Sequence, residues 1–289
     1  MDMRTNFLFQ FGNITYDLLS RTHIMGILNA TPDSFSDGGK YFGIEEAAAH
    51  GRAMEKEGAD FIDVGGESTR PGSEPVGIDE EIRRTIPLIE RLKKEVKVPI
   101  SIDTTKSEVA DAALSAGAVI VNDISGFTFD SQMAGVTARH RATAVLMHTK
   151  GKPKTMQADP IYGNVVEEVK QFLSAQAESA QLAGVDQIII DPGIGFGKTF
   201  AHNIRILKEL SSFRTLGYPL LVGPSRKSFI GTILNLPPHE RLEGTAAASA
   251  ACIFNGVQIL RVHDVQVIKR IAQACDVLKP GAAGDFPRI

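Results

Sequence analysis

Cysteine is almost missing from this chain: Cys252 and Cys275 are the two in 289 residues. They have no metal-site spacing and ask for no oxidising compartment, so they read as reduced, buried small hydrophobes. An excess of one charge is missing too. Lys and Arg number 31 against 34 Asp and Glu, a formal charge of −3, with no basic tail. That excludes a nucleic-acid partner recruited by net charge. Long apolar runs are also lacking. The densest, residues 246–254, is interrupted by Ser249 and falls far short of a bilayer span, so no membrane partner is expected. The opening MDMRTNFLFQFG has no apolar stretch followed by a cleavage site, and the expectation is a reducing cytoplasm rather than secretion. No HExxH, paired-Cys or His-rich cluster and no GxSxG elbow is present. What remains is an ordinary globular composition, 43% hydrophobic and 22% charged, which rules out disorder as the whole answer. The length fits one large domain or two small ones.

Eight short apolar segments recur: 23–28, 61–64, 100–102, 119–121, 144–147, 187–190, 220–222 and 258–260. Several are continuously apolar, as strands covered on both faces must be. Helical patterns lie between them at 44–57, 79–95, 106–116, 164–183, 203–210, 240–255 and 265–278. The second carries Ile82, Ile86, Ile89 and Leu92 on one stripe, with Pro87 predicting a kink or break. Gly117 and Gly184 stand where helix C-caps belong, and Pro280 reads as a stop. Strand then helix, about eight times in about 250 residues, predicts an α/β fold of the (β/α)₈ TIM-barrel type. The rival doubly wound sheet lacks its fingerprint, because GILNATPDSFSDGG contains no GxGxxG. No linker divides the chain, so residues 1–289 are expected to form a single domain, with the barrel at about 23–278. Before it, residues 7–11, a Gly12–Asn13 turn and residues 14–16 read as a small hairpin that plugs the N-terminal face by analogy with other barrels.

Polar residues gather at or just after the strand ends: Asn29, Asp63, Asp103, Asn122, Asp123, His148, Asp191, Lys227, Arg261 and His263. A closed barrel brings all of these ends to one rim. Each has a plainer alternative. Asp103 and Asp123 can cap the helices that follow, and Asp63 can hold the GGESTR loop. Arg226 and Lys227 can be a solvated basic pair. His50, His140, His202 and His239 read as ordinary surface or core residues. Arg261 and His263, beside a helix start, suit a di-anion. Asn29 can complete an Mg²⁺ shell if a phosphate-bearing substrate and water supply the rest. GIGFGK at 193–198 reads as a flexible loop, since Pro192 stands where a P-loop needs its first glycine.

Five blocks then carry a resemblance: MGILNATPDSFSDGG at 25–39, DVGGESTRPG at 63–72, SIDTTK at 101–106, DPGIGFGKT at 191–199 and GPSRKSFIG at 223–231. VNDISG at 121–126 and RVHDV at 261–265 add to it. The sequence resembles the dihydropteroate synthase family of pterin-binding barrels over nearly its whole length. The resemblance implies a homodimeric transferase of folate biosynthesis. Such enzymes condense 6-hydroxymethyl-7,8-dihydropterin diphosphate with 4-aminobenzoate to give 7,8-dihydropteroate and diphosphate. It implies a pterin site of Asp103, Asn122, Met147, Asp191, Phe196 and Lys227. Diphosphate and Mg²⁺ would lie at Asn29, Arg70, Arg261 and His263. The aminobenzoate would lie among Thr69, Arg70, Pro71, Phe196, Lys227 and Ser228. The catalytic groups are expected to be Lys227, Arg261, His263 and Asp103. One position departs from the pattern: His148 is followed by Thr149 and Lys150, where the family commonly has a Met and then Arg or Gln.

The chemistry suits these residue types. A carboxylate accepts two adjacent pterin donors, and an amide both donates and accepts. The loops 30–40 and 65–76, rich in Gly, Ser and Pro, are expected to close over the substrates. Two other readings remain at this point: a pterin-dependent methyltransferase barrel, and a non-catalytic pterin-binding homologue.

Overall fold

The computed structural model describes residues 7–30, 39–68, 72–151, 156 and 160–279, with the side chains of residues 39–42 excepted. Ten strands form two sheets. β1 (Leu8–Phe11) and β2 (Ile14–Asp17) pair antiparallel as the expected hairpin, with Gly12 in the left-handed region at φ +59°. The other eight run parallel: β3 (His23–Asn29), β4 (Phe61–Gly65), β5 (Ile100–Asp103), β6 (Ile120–Asp123), β7 (Thr143–Met147), β8 (Ile188–Asp191), β9 (Leu221–Val222) and β10 (Ile259–Val262). Each pairs with its neighbour in sequence, and β10 lies between β9 and β3. A bridge from Ile190 to Leu220 joins β8 to β9 and closes the ring. This is the (β/α)₈ barrel that the strand–helix count predicts.

Strand geometry sorts the side chains, because successive residues point to opposite faces. One set, including Ile24, Leu28, Ile62, Val64, Ile102, Val121, Leu146, Ile190 and Leu260, packs outward against the helices. The other set points into the barrel. Its lower layer, Met25, Phe61, Ile120, Val145, Ile189, Leu221 and Ile259, packs with Phe9, Phe11 and Leu18 of the hairpin segment. The hairpin therefore plugs the N-terminal end. Gln10 and Gln187 exchange two hydrogen bonds there, at 2.6 and 2.7 Å. The upper layer, toward the C-terminal end, is polar.

Nine α-helices are seen among the described residues: α1 (Gly39–Glu57), α2 (Ile78–Glu95), α3 (Ser107–Ala116), α4 (Met133–Arg139), α5 (Val165–Leu182), α6 (Phe200–Lys208), α7 (Ser228–Leu234), α8 (Leu242–Phe254) and α9 (Val265–Leu278). α2 runs through Pro87 without the break that proline suggested. Pro87 is on the exposed face, where water can satisfy the carbonyl four residues earlier. Gly117 closes α3 at φ +123°. α6 starts three residues earlier than its apolar pattern, because Thr199 and His202 form a reciprocal cap there. The short α4 and α7 were not expected. Pro280 lies outside the described residues.

Candidate functional site

The upper layer of the barrel is organised around Arg261. Its Nε donates to Asp63 Oδ2 at 2.6 Å and its Nη2 to Asp103 Oδ2 at 2.5 Å. Asn122 Nδ2 donates to the same Asp63 oxygen at 2.9 Å. Four strands, β4, β5, β6 and β10, thus bind one another through side chains. Burial opposes the charge on Arg261, but Asp63 and Asp103 outweigh it and lift its pKa above the ordinary value. The guanidinium is a permanent cation. Burial pushes the Asp103 carboxyl above the usual range, against the pull of Arg261. Neither Asp103 nor Asp123 caps the helix after it, since the N-cap positions of α3 and α4 are Lys106 and Gln132. Asp123 faces away from the barrel interior and accepts from the Ser125 amide and hydroxyl, each at 2.7 Å.

A second group sits across the mouth. Asp191, at the end of β8, accepts from the Gly193 amide at 2.7 Å, and burial pushes it up to about 6. Lys227 places its Nζ 4.1 Å from the centre of the Phe196 ring. Burial and the nearby Arg261 pull Lys227 down to about 8. Met147 and Phe196 pack with Ile124 and Met156 as an apolar wall. The basic pair divides: Lys227 turns to the mouth, while Arg226 forks onto Asp264 at 2.6 and 3.0 Å. Ser228 opens α7 and is exposed.

His263 lies just before α9, with Nδ1 2.9 Å from Ser225 Oγ, so Ser225 orients the ring. Asn29 ends β3 facing the interior. A Cβ added at Gly65 would lie 3.9 Å from Asn29 Oδ1 and 3.8 Å from Asp103 Oδ2, so those oxygens border a space kept clear by a glycine. Thr69, Arg70 and Pro71 lie outside the described residues, as do residues 31–38 of the first expected lid. A cavity of about 970 Å³ opens beside Asp103, lined among others by Glu67, Glu81, Lys106, Ile124 and Phe129. Lys106 bridges Glu67 and Glu81 there, at 2.5 Å each.

One pairing and one residue escaped the sequence reading. Asp63 stood among the rim residues, with loop-holding as its plainer alternative, but its role as the anchor of Arg261 was not foreseen. Its phase within β4, alternating with Ile62 and Val64, marks it as inward. The residue is Lys198. The GIGFGK segment, expected to be a flexible loop, lies pressed against the end of β7. Gly193, Gly195 and Gly197 all take positive φ, and a Cβ on Gly193 would meet the His148 carbonyl oxygen at 1.9 Å. Lys198 is buried beneath this loop. His148 is also buried. Its pKa is pulled down to about 2 by burial and by the Lys198 ammonium, so the ring is neutral.

A model of a family described as pterin binding enzyme matches residues 25–263. A dihydropteroate synthase of Synechocystis is 51% identical over 270 residues, covering 92% of this chain and 93% of that protein. The chain belongs to the dihydropteroate synthase family. Solved structures agree. A dihydropteroate synthase from Clostridium difficile, crystallised in the presence of pteroic acid, has a TM-score of 0.87 and 45% identity, over 91% of this chain and 98% of that one. One from Xanthomonas albilineans, with 4-aminobenzoic acid, has a TM-score of 0.89 and 40% identity, over 95% and 98%.

Proposed function

We infer that this chain joins 6-hydroxymethyl-7,8-dihydropterin diphosphate to 4-aminobenzoate, giving 7,8-dihydropteroate and diphosphate, and that the barrel mouth is the site. The carrying observation is the pairing of two halves. One is a cation locked between Asp63 and Asp103. The other is an apolar wall flanked by Asp191 and Lys227. The family's relatives favour this reading over the methyltransferase one.

In this reading the pterin ring lies against Met147 and Phe196. Its N–H donors go to Asp191 and Asp103, Asn122 supplies a mixed donor and acceptor, and Lys227 meets the ring carbonyl. Filling those carboxylates relieves the penalty of burying them. The diphosphate lies at Asn29, Arg261, His263 and the start of α9, with Arg70 beside it. The aminobenzoate lies over Phe196, Lys227 and Ser228, with Thr69 and Pro71. The methylene C–O bond breaks, its electron pair leaves with diphosphate, and the arylamine nitrogen forms the new C–N bond and gives up a proton. A weakly basic arylamine needs no strong base, and the electron-rich dihydropterin favours departure of diphosphate before attack.

Mg²⁺ fits as a substrate-borne ion. Among the described residues no cluster of three His, Cys, Asp or Glu side chains could hold a metal. Asn29 offers one hard oxygen beside the space at Gly65, and Mg²⁺ commonly takes its other ligands from phosphate and water. When bound, it would neutralise charge growing on the leaving diphosphate. We include in the proposal a homodimer, supported by the family resemblance, and a reducing cytoplasm, supported by the two buried unpaired thiols. Lys227→Ala is expected to lower kcat/KM about 10²-fold or more. A near-wild-type value would remove Lys227 from its role.

A further inference from the structure

Lys198 is 2% exposed, and no carboxylate is hydrogen-bonded to it among the described residues. An ammonium in such a place is costly unless its three hydrogens are taken. Four acceptors surround Nζ: His148 Nδ1 and Gly193 O at 2.9 Å, Phe196 O at 3.0 Å and His148 O at 3.2 Å. Two belong to the residue that follows β7 and two to the loop that follows β8. One side chain therefore stitches two neighbouring strand ends together. Those ends carry Met147 and Asp191, which are register partners, and the stitched loop carries Phe196. The close approach at Gly193 shows how tightly the two segments are drawn. Asn203 completes the loop, accepting from Gly195 N at 2.7 Å and donating to the Thr199 carbonyl at 2.9 Å. Burial pulls the Lys198 ammonium down to about 7, and Asp191 works in the other direction, to keep the charge.

Building on the function proposed above, we propose that Lys198 is a positioning residue for the pterin half of the site. Its ammonium holds Asp191 and Phe196 in place and fixes His148 as a neutral imidazole with the proton on Nε2. It touches neither substrate. Its effect passes through the two loops it joins.

The experiment has two arms. In the first, ¹⁵N NMR of the histidines in the wild-type protein reads His148. The expected signal is a neutral ring protonated on Nε2 that does not titrate between pH 5 and 8. A ring protonated on Nδ1, or one that titrates near its ordinary value, overturns the proposal. This arm stands whether or not any variant folds, and whether or not the functional reading holds. In the second, Lys198→Met is compared with Tyr162→Phe, which removes a 2.8 Å hydrogen bond to the Gly197 carbonyl without touching the hub. Lys198→Met is expected to raise KM for the dihydropterin diphosphate about tenfold or more, with kcat changing less. Tyr162→Phe is expected to stay within about threefold. Equal effects of the two would mean general loosening of the loop, and no effect of Lys198→Met would mean no positioning; either overturns the proposal. A wild-type protein that forms no product would instead overturn the functional reading, with the NMR arm still deciding the role of Lys198.

Discussion

Asp63 has no exposed surface, and one of its oxygens takes both Arg261 and Asn122. Removing one partner of a buried pair leaves the other without compensation. Asp63→Ala is expected to destabilise the protein by about 3–5 kcal/mol, read by urea unfolding. A loss under about 1 kcal/mol would show that Arg261 needs no such anchor. The other buried carboxyls set a pH dependence. Burial raises Asp191 to about 6, and Asp103 is raised as well. A raised carboxyl binds its proton more tightly in the folded chain, so its contribution to stability falls as pH rises from about 4 to about 6. Donors from a bound pterin need the ionised form. Pterin binding should therefore release protons near pH 6 and weaken as pH falls below about 6, by up to about tenfold per pH unit for each proton. Calorimetry in buffers of different ionisation enthalpy checks this; zero proton exchange between pH 5 and 6.5 would contradict it. At this scale the gathering of polar residues at the barrel mouth was legible, because a polar residue after an apolar run is visible in a sequence. The pairing of Asp63 with Arg261 was not legible, because the two lie 198 residues apart and meet only when the barrel closes. Lys198 was unreadable because a lysine in a glycine-rich loop looks solvent-facing, and the acceptors that bury it are mostly backbone carbonyls.

The elements divide stability from function. Phe11 of the hairpin packs edge-on against Phe61, with ring centres 5.0 Å apart and planes at 73°, at the end of the barrel opposite the site. Phe11→Ala is expected to destabilise the fold by about 3–5 kcal/mol while leaving kcat/KM close to wild type at temperatures where the protein stays folded. A matching loss of activity without loss of stability would mean that the hairpin acts on the mouth. All eight barrel strands stood out as apolar runs, and their boundaries shifted by only a residue or two. α4 and α7 did not, since seven residues span two turns and leave too short a record of a 3.6-residue period. The break that Pro87 allowed does not occur, since the effect of a proline depends on which face it occupies, and the sequence shows that only after the helix is placed.

Taken whole, the molecule separates its tasks by layer. The outward strand faces bind the helices, the lower interior binds the hairpin, and the upper interior holds the charges. Those charges nearly cancel in the total of −3, so the whole-chain figure conceals Arg261 between two carboxylates and Lys227 over an aromatic ring. The central claim is that this charged layer carries out the condensation. The most direct test mixes the purified protein with 6-hydroxymethyl-7,8-dihydropterin diphosphate, saturating 4-aminobenzoate and Mg²⁺, and follows diphosphate and 7,8-dihydropteroate together. The account predicts that both appear in equal amounts. Diphosphate without dihydropteroate, or neither product, would contradict it.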